Sequence, residues 1–454
     1  MIIRNGLLSL PLCSAPVPAD LWIEDGRIAA VGQVPADDPD ILDAGGLLVL
    51  PGAVDAHVHF NEPGYTERED FTHGSRAAVA GGVTTVIDMP CTSVPPVTSR
   101  AHLAAKLAVI EERSVCDFAL FGGVSAQSFD DVFPYELAAL APQVAGFKVY
   151  ALSGMATFSR LDAYRLRQLL ALSRTLGRPV LLHAEDADFV DAATAACMAA
   201  GDSPRRYYLS RPETAEMLAV GAAVELARET GGDLHIVHIA SGDAVDRLAG
   251  TLVTGETCPH YLAFTTADFE ARGAVLKVAP SVKPAGNSNM LWRALADGRL
   301  QFVTSDHAPC PDDGKGTGSI WSDYSGIAGT QTLLPYLFSE GYCRQRISWS
   351  RLAEITAAAP ACRYGLDHIK GAIVPGRDAD LVFIDPRADW CPGPEDMLSK
   401  GRNNPFLGQT WQGRIRRTMI RGRTVYTDTE GVTATPGTGR FLMPRPAPRR
   451  KEAP

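Results

Sequence analysis

A chain of 454 residues with 46% hydrophobic and 21% charged residues can bury a large core and holds room for one big domain and a smaller one. Its formal net charge of -9 disfavours nucleic acid as the main partner. Nine scattered cysteines without a Cys-x-x-Cys spacing read as reduced thiols of a cytoplasmic protein. No apolar run reaches the roughly 18 residues of a membrane span, and Met1 to Gly6 lack the basic and apolar regions of a signal peptide.

Residues 1–50 read as short strands separated by turns, with a hairpin expected at Asp25-Gly26. The same texture returns near the C-terminus, where 378–385 is one apolar run and 418–426 is a second hairpin candidate turning at Arg421-Gly422. Strand-like pieces at both ends predict a discontinuous small β domain.

The middle alternates short β-branched runs with Ala- and Leu-rich stretches. Runs begin near residues 53, 83, 118, 146, 179, 234, 255 and 300, the eight that a (β/α)8 barrel requires. Helices are expected over 99–112, 162–176 and 212–229, the last opened by Pro212 and closed by Gly231 and Gly232. Residues 311–319 have no large apolar side chain and read as a mobile loop. The Pro- and Arg-rich end from 443 to 454 is expected to be disordered.

Unusual polar residues stand at the ends of these runs. His57 and His59 are two apart, so an extended backbone turns both to one face. Lys148 lies within an apolar run, and His183, His238 and Asp306 each close one. Each alone has a bland reading: a hydrogen-bonded core histidine, a lysine reaching solvent, an aspartate capping a helix. Together they fall on the C-terminal rim, where a barrel carries its active site.

Imidazoles and carboxylates are ligands for Zn²⁺ and similar dications, with Mn or Co as alternatives to Zn. An ammonium is not a ligand, so Lys148 fits such a set only if its amine takes up CO2 as a carbamate, an anion able to bridge two metals. Two divalent ions would make hydroxide available near neutral pH. Asp306 would hold one of them, accept a proton and pass it to a leaving nitrogen.

The set His57, His59, Lys148, His183, His238 and Asp306 resembles the amidohydrolase superfamily with a binuclear metal centre. Asn61-Glu62-Pro63-Gly64, residues 87–90, residues 256–262 and residues 305–309 resemble its cyclic amide hydrolases, the allantoinase and dihydroorotase group. The resemblance runs nearly full length. It implies an α/β fold: a (β/α)8 catalytic barrel over 52–370, with a small β-sandwich formed by 1–51 and 371–442. It also implies two divalent metals, a carboxylated Lys148, a small cyclic amide as substrate, and a homo-oligomer (dimer or tetramer) without nucleic-acid or membrane partners.

Dihydroorotases carry an arginine and an asparagine where this chain has Asn61 and Cys91. Loss of a guanidinium removes a bidentate carboxylate clamp, so the resemblance leans to allantoinases, with Asn61, Cys91 and Ser281 expected to face substrate. Departures at 281–283 and 322–325 leave other hydantoin-like rings and open-chain amides in play, beside dihydroorotase and an inactive dihydropyrimidinase-like scaffold. Lys283 is the nearest alternative cation. Glu185 and Asp186 are candidates to orient His183, and His307 to assist Asp306. His260, His73, His102 and His368 read as structural.

Overall fold

Parallel strands close a ring in the computed structural model, which describes residues 1–35 and 38–446. In chain order they are Ala53–Val58, Val83–Asp88, Asp117–Leu120 continuing as Gly122–Gly123, Phe147–Tyr150, Val180–His183, Leu234–Ile236, Thr254–Thr257 and Phe302–Val303. Each pairs in parallel with the next. A bridge between Val58 and His307 joins the last to the first. The ring is the expected (β/α)8 barrel. Two strands are shorter than their apolar runs suggest. His238 (φ 39°) and Asp306 (φ 47°) turn left-handed just beyond them, and that conformation ends ladder pairing.

The helices over the barrel start and stop on local signals. Ser99 caps Arg100–Ile110, and Asp162 caps Ala163–Leu176; each side chain accepts an amide of the first turn. Glu213–Thr230 ends at Gly231 with φ 61°, where glycine takes the left-handed turn without a Cβ penalty. Pro212 sits at the cap of that helix, one position before its first residue. Among the described residues no helix is long and apolar enough to cross a membrane.

Both termini build one nine-stranded sheet. Leu48–Pro51 lies antiparallel to Leu381–Trp390 and brings the two ends of the chain together. Because successive strand residues face opposite ways, Val49, Leu381 and Phe383 enter the sheet's own small core with Ile3, Leu21 and Ile23. Leu48, Leu50, Val382 and Ile384 face the barrel core. Asp25 (φ 50°) and Gly26 (φ 77°), like Arg421 (φ 48°) and Gly422 (φ 71°), have the two positive φ values of tight hairpin turns.

A buried ion cluster fastens sheet to barrel. The Nζ of Lys370 lies 2.6 Å from Asp117, 2.7 Å from Asp380 and 3.0 Å from Asp378. Arg421 also pairs with Asp117, a residue of the third barrel strand. Residues 443–446 differ from the expected disorder, since Arg178 donates to the carbonyl of Pro444 (2.7 Å) and Arg445 N to that of Gly365 (2.9 Å). The rest of the expected tail, 447–454, lies outside the described residues. Segment 311–319 is tied by polar contacts: Lys315 Nζ donates to Ala274 O (2.9 Å) and Thr317 N to Asp323 (2.7 Å).

Candidate active site

Alternation along the strands sets which side chains meet inside the rim. In Phe147–Tyr150, Lys148 and Tyr150 share one face, and Lys148 is wholly buried. On the first strand Asp55, His57 and His59 share a face, and the two imidazole centroids are 5.4 Å apart. Asp306 reaches both histidines from the last strand, with Oδ1 3.3 Å from His57 Nε2 and 3.4 Å from His59 Nε2. The left-handed conformations of His238 and Asp306 each cost on the order of 1–3 kcal/mol. They are held because the barrel directs both side chains onto the rim.

Hydrogen bonds settle which nitrogens are bare. His57 Nδ1 donates to Glu256 Oε1 (2.7 Å), leaving Nε2 without a hydrogen-bond partner. His183 Nε2 donates to Glu185 (2.9 Å), so its Nδ1 is an acceptor and meets His238 Nε2 at 3.0 Å. Lys148 Nζ and His238 Nδ1 have no hydrogen-bond partner. Burial keeps the imidazoles of His57, His183 and His238 on the neutral side of their usual range. Burial also lowers the Lys148 amine to about 8. Burial opposes ionisation of Asp306, but His57, His59 and His238 hold its carboxyl well below the usual carboxylate range. His59 differs: burial lowers its imidazole, but Cys91 and Asp306 outweigh it and raise it to about 9, so it must lose that proton to bind a metal. With that proton lost the donor set fits divalent cations: imidazoles, an ionised carboxylate and a desolvated amine without a hydrogen-bond partner. His57, His59 and Asp306 place their ligand atoms within 4.8 Å of one another. Their spacings to Asp306 match the edge of a tetrahedral site, about 3.4 Å at ordinary ligand distances.

Other groups hold these ligands in place. Glu256 also meets His235 Nε2 (3.2 Å), and burial lifts its carboxyl to about 8. Glu185 is shared with Arg211 at 2.5 Å; burial alone would raise its carboxyl, but Arg211 and His183 bring it to about 2. Asp186 instead caps the helix Ala187–Ala200. Ser305 donates from N (3.0 Å) and Oγ (2.5 Å) to Asp55, locking the last strand to the first. Neither Asp55 nor His235 stands out in the sequence. The signal for Glu256 is a carboxylate inside the buried run Thr254–Thr257.

A cleft of about 500 Å³ opens over this cluster, lined by His59, His183, His238 and Asp306 below. Higher up, Tyr65, Arg68, Tyr150, Arg211, Tyr324 and Ser325 form its walls. Gly326 is part of the rim; at φ 154° a Cβ would fall 2.2 Å from the carbonyl oxygen of Ala308. Asn61, Cys91 and Ser281 are fully buried and are absent from the lining. Asn61 is left-handed (φ 58°) and donates to His59 O (3.1 Å). Cys91 Sγ lies 3.1 Å from the Tyr150 hydroxyl. Lys283 donates to Arg211 O (3.0 Å) and faces Glu216 at 3.9 Å, away from the cleft. His307 turns from Asp306 to Glu69 (3.2 Å). His260 packs edge-on against Tyr261. His73, His102 and His368 are not in the cleft lining.

The amidohydrolase family model matches residues 48–425. An allantoinase of Rubrobacter xylanophilus is 41% identical, covering 98% of both chains. An allantoinase of Deinococcus radiodurans is 37% identical, covering 98% of this chain and 99% of its own. Among solved structures, the L-hydantoinase (dihydropyrimidinase) of Arthrobacter aurescens superposes with a TM-score of 0.92 at 30% identity, over 97% of this chain and 99% of its own. The dihydropyrimidinase of Brevibacillus agri gives 0.92 at 29%, over 99% of each. With the family pattern spread over barrel and terminal sheet alike, this chain belongs to the amidohydrolase family.

Proposed function

We propose that the chain opens a ring C–N amide bond by metal-dependent hydrolysis, with allantoin as substrate and allantoate as product. The observation that carries the chemistry is the convergence of the His57, His183 and His238 rings with Asp306 and a Lys148 amine that has no hydrogen-bond partner. The relatives named allantoinase, similar over nearly full length, support the choice of ring.

His57, His59, His183, His238, Asp306 and a carboxylated Lys148 would hold two divalent ions, Zn or alternatively Mn or Co. When bound, such ions polarise the scissile carbonyl and make water nucleophilic near neutral pH. Asp306, ionised within the histidine cluster, takes a proton from the attacking water and delivers it to the leaving ring nitrogen. Water thus adds to the carbonyl carbon, the C–N bond breaks, and a carboxylate and an N–H group result. Glu256 and Glu185 keep His57 and His183 in the tautomers that leave one nitrogen bare. The cleft admits a small ring, and the reading includes a cytoplasmic homo-oligomer, dimer or tetramer, acting on a small molecule without nucleic-acid or membrane partners. Nine cysteines without a Cys-x-x-Cys spacing support the reducing compartment.

The likeness to the L-hydantoinase of Arthrobacter aurescens favours a simple hydantoin as the second reading. Hydrolysis of allantoin, hydantoin, dihydroorotate and dihydrouracil by the metal-reconstituted protein tests both. Allantoin is expected to have the highest kcat/KM; preference for dihydroorotate would overturn the reading, and turnover of none would favour an inactive scaffold.

A further inference from the structure

Among the described residues two basic side chains line the cleft, Arg68 and Arg211, and Arg211 is already spent. Arg211 is paired at 2.5 Å with the fully buried Glu185. Lys283 is buried against the Arg211 carbonyl and Glu216. Arg68 differs. Its guanidinium carbon lies 4.5 Å from the Tyr65 ring centroid and 5.2 Å from that of Tyr324, and all three residues line the cleft. Its carboxylate neighbour among the described residues is Glu67, 3.6 Å away and more than half exposed. The next carboxylate in the chain, Glu69, is buried and turned to His307.

A guanidinium held against two aromatic rings keeps its charge and loses rotational freedom. Its N–H groups lie in the plane of the fork; part of the fork donates to the Tyr324 hydroxyl, and stacking leaves the remaining N–H groups to donate sideways. An oxygen acceptor on a ligand in the cleft completes that arrangement. We propose that Arg68 reads the substituent of the ring, donating N–H groups to the carbonyl oxygen of an exocyclic ureido arm while the ring amide lies against the histidine cluster. Tyr65 and Tyr324 are positioning residues for the guanidinium. This assignment rests on the proposed ring hydrolysis and adds what distinguishes allantoin from unsubstituted hydantoin, which has no arm to offer Arg68.

The test compares metal-loaded wild type, Arg68→Met and Arg68→Lys on allantoin and on hydantoin, with thermal melts to show that each variant is folded. A hydrogen bond from a charged group is worth about a ten- to a hundredfold. The ratio of kcat/KM for allantoin to that for hydantoin should therefore fall by that factor in Arg68→Met. Arg68→Lys, which keeps the charge and loses the fork, should recover part of the ratio. An unchanged ratio in both variants, whether activity is kept or lost on both rings alike, overturns the proposal. If the wild type hydrolyses neither ring, the ring-hydrolase reading fails on its own account. Calorimetric binding of allantoin to wild type and Arg68→Met then decides for Arg68: weaker binding in the variant supports it, and equal or absent binding overturns it.

Discussion

His57 Nδ1 lies 2.7 Å from Oε1 of Glu256, a residue 199 positions later in the chain. The contact fixes one tautomer of His57 and leaves Nε2 free to meet a metal. It also joins the first barrel strand to the seventh, and through His235 to the sixth.

Glu256→Gln retains the shape of this contact and removes its carboxylate. Loss of such an orienting partner typically costs about ten- to a hundredfold in metal affinity or activity. Titration with a metal-sensitive dye should show the weakening, and a variant with wild-type affinity and kcat would refute the role given to Glu256.

Lys148 is wholly buried with no hydrogen-bond partner for its amine. The purified chain should carry two dications when prepared with metal and bicarbonate, and a chelator should abolish activity. His57→Ala and His183→Ala should each be inactive. Lys148→Ala should lose metal and activity and regain part of both with a short carboxylic acid. Only the neutral amine reacts with CO2. With the amine brought down to about 8 by burial, recovery of chelated protein at fixed dissolved CO2 should accelerate as pH rises through 8 and level off above it. A rate independent of pH between 6.5 and 8.5 would show that ionisation of the Lys148 amine does not limit recovery.

Allantoin should be hydrolysed faster than dihydroorotate, which their kcat/KM values measured side by side will check. From sequence, Asn61→Arg with Cys91→Asn is the natural swap toward dihydroorotate. The tertiary structure changes what that swap should do. Asn61 is fully buried at φ 58°, a conformation asparagine tolerates far better than a long side chain. The double variant should melt at a lower temperature and gain little dihydroorotate activity. A stable variant with reversed preference would place residue 61 against the substrate after all.

Lys370 is buried among Asp117, Asp378 and Asp380, which drive its ammonium pKa above the usual lysine range despite burial. Lys370→Met leaves buried carboxylates short of a counter-charge and should destabilise the fold by about 3–5 kcal/mol. Denaturant melts measure this. A change under 1 kcal/mol would mean that Arg421 alone balances the cluster.

Much of this molecule follows from properties local to the chain. Two-residue alternation places His57 and His59 on one face wherever the strand lies. Asp25-Gly26 and Arg421-Gly422 turn because their φ values suit tight hairpins. Apolar runs separated by capped helices count out a barrel, and its rim collects their terminal residues. None of this decides which groups meet once the ring closes. Asp55 and Ser305 are 250 positions apart yet hydrogen-bonded, and Glu256 reaches His57 only because the strands between them curve round. Cations follow the same rule. Lys283 and Arg211 look as available as Arg68 in the sequence, but buried carboxylates claim the first two. Asn61, Cys91 and Ser281 likewise are buried, with Asn61 Oδ1 and Ser281 Oγ left without a hydrogen-bond partner. A side chain's partner is a property of three-dimensional proximity and burial, and those exist only after the barrel has closed.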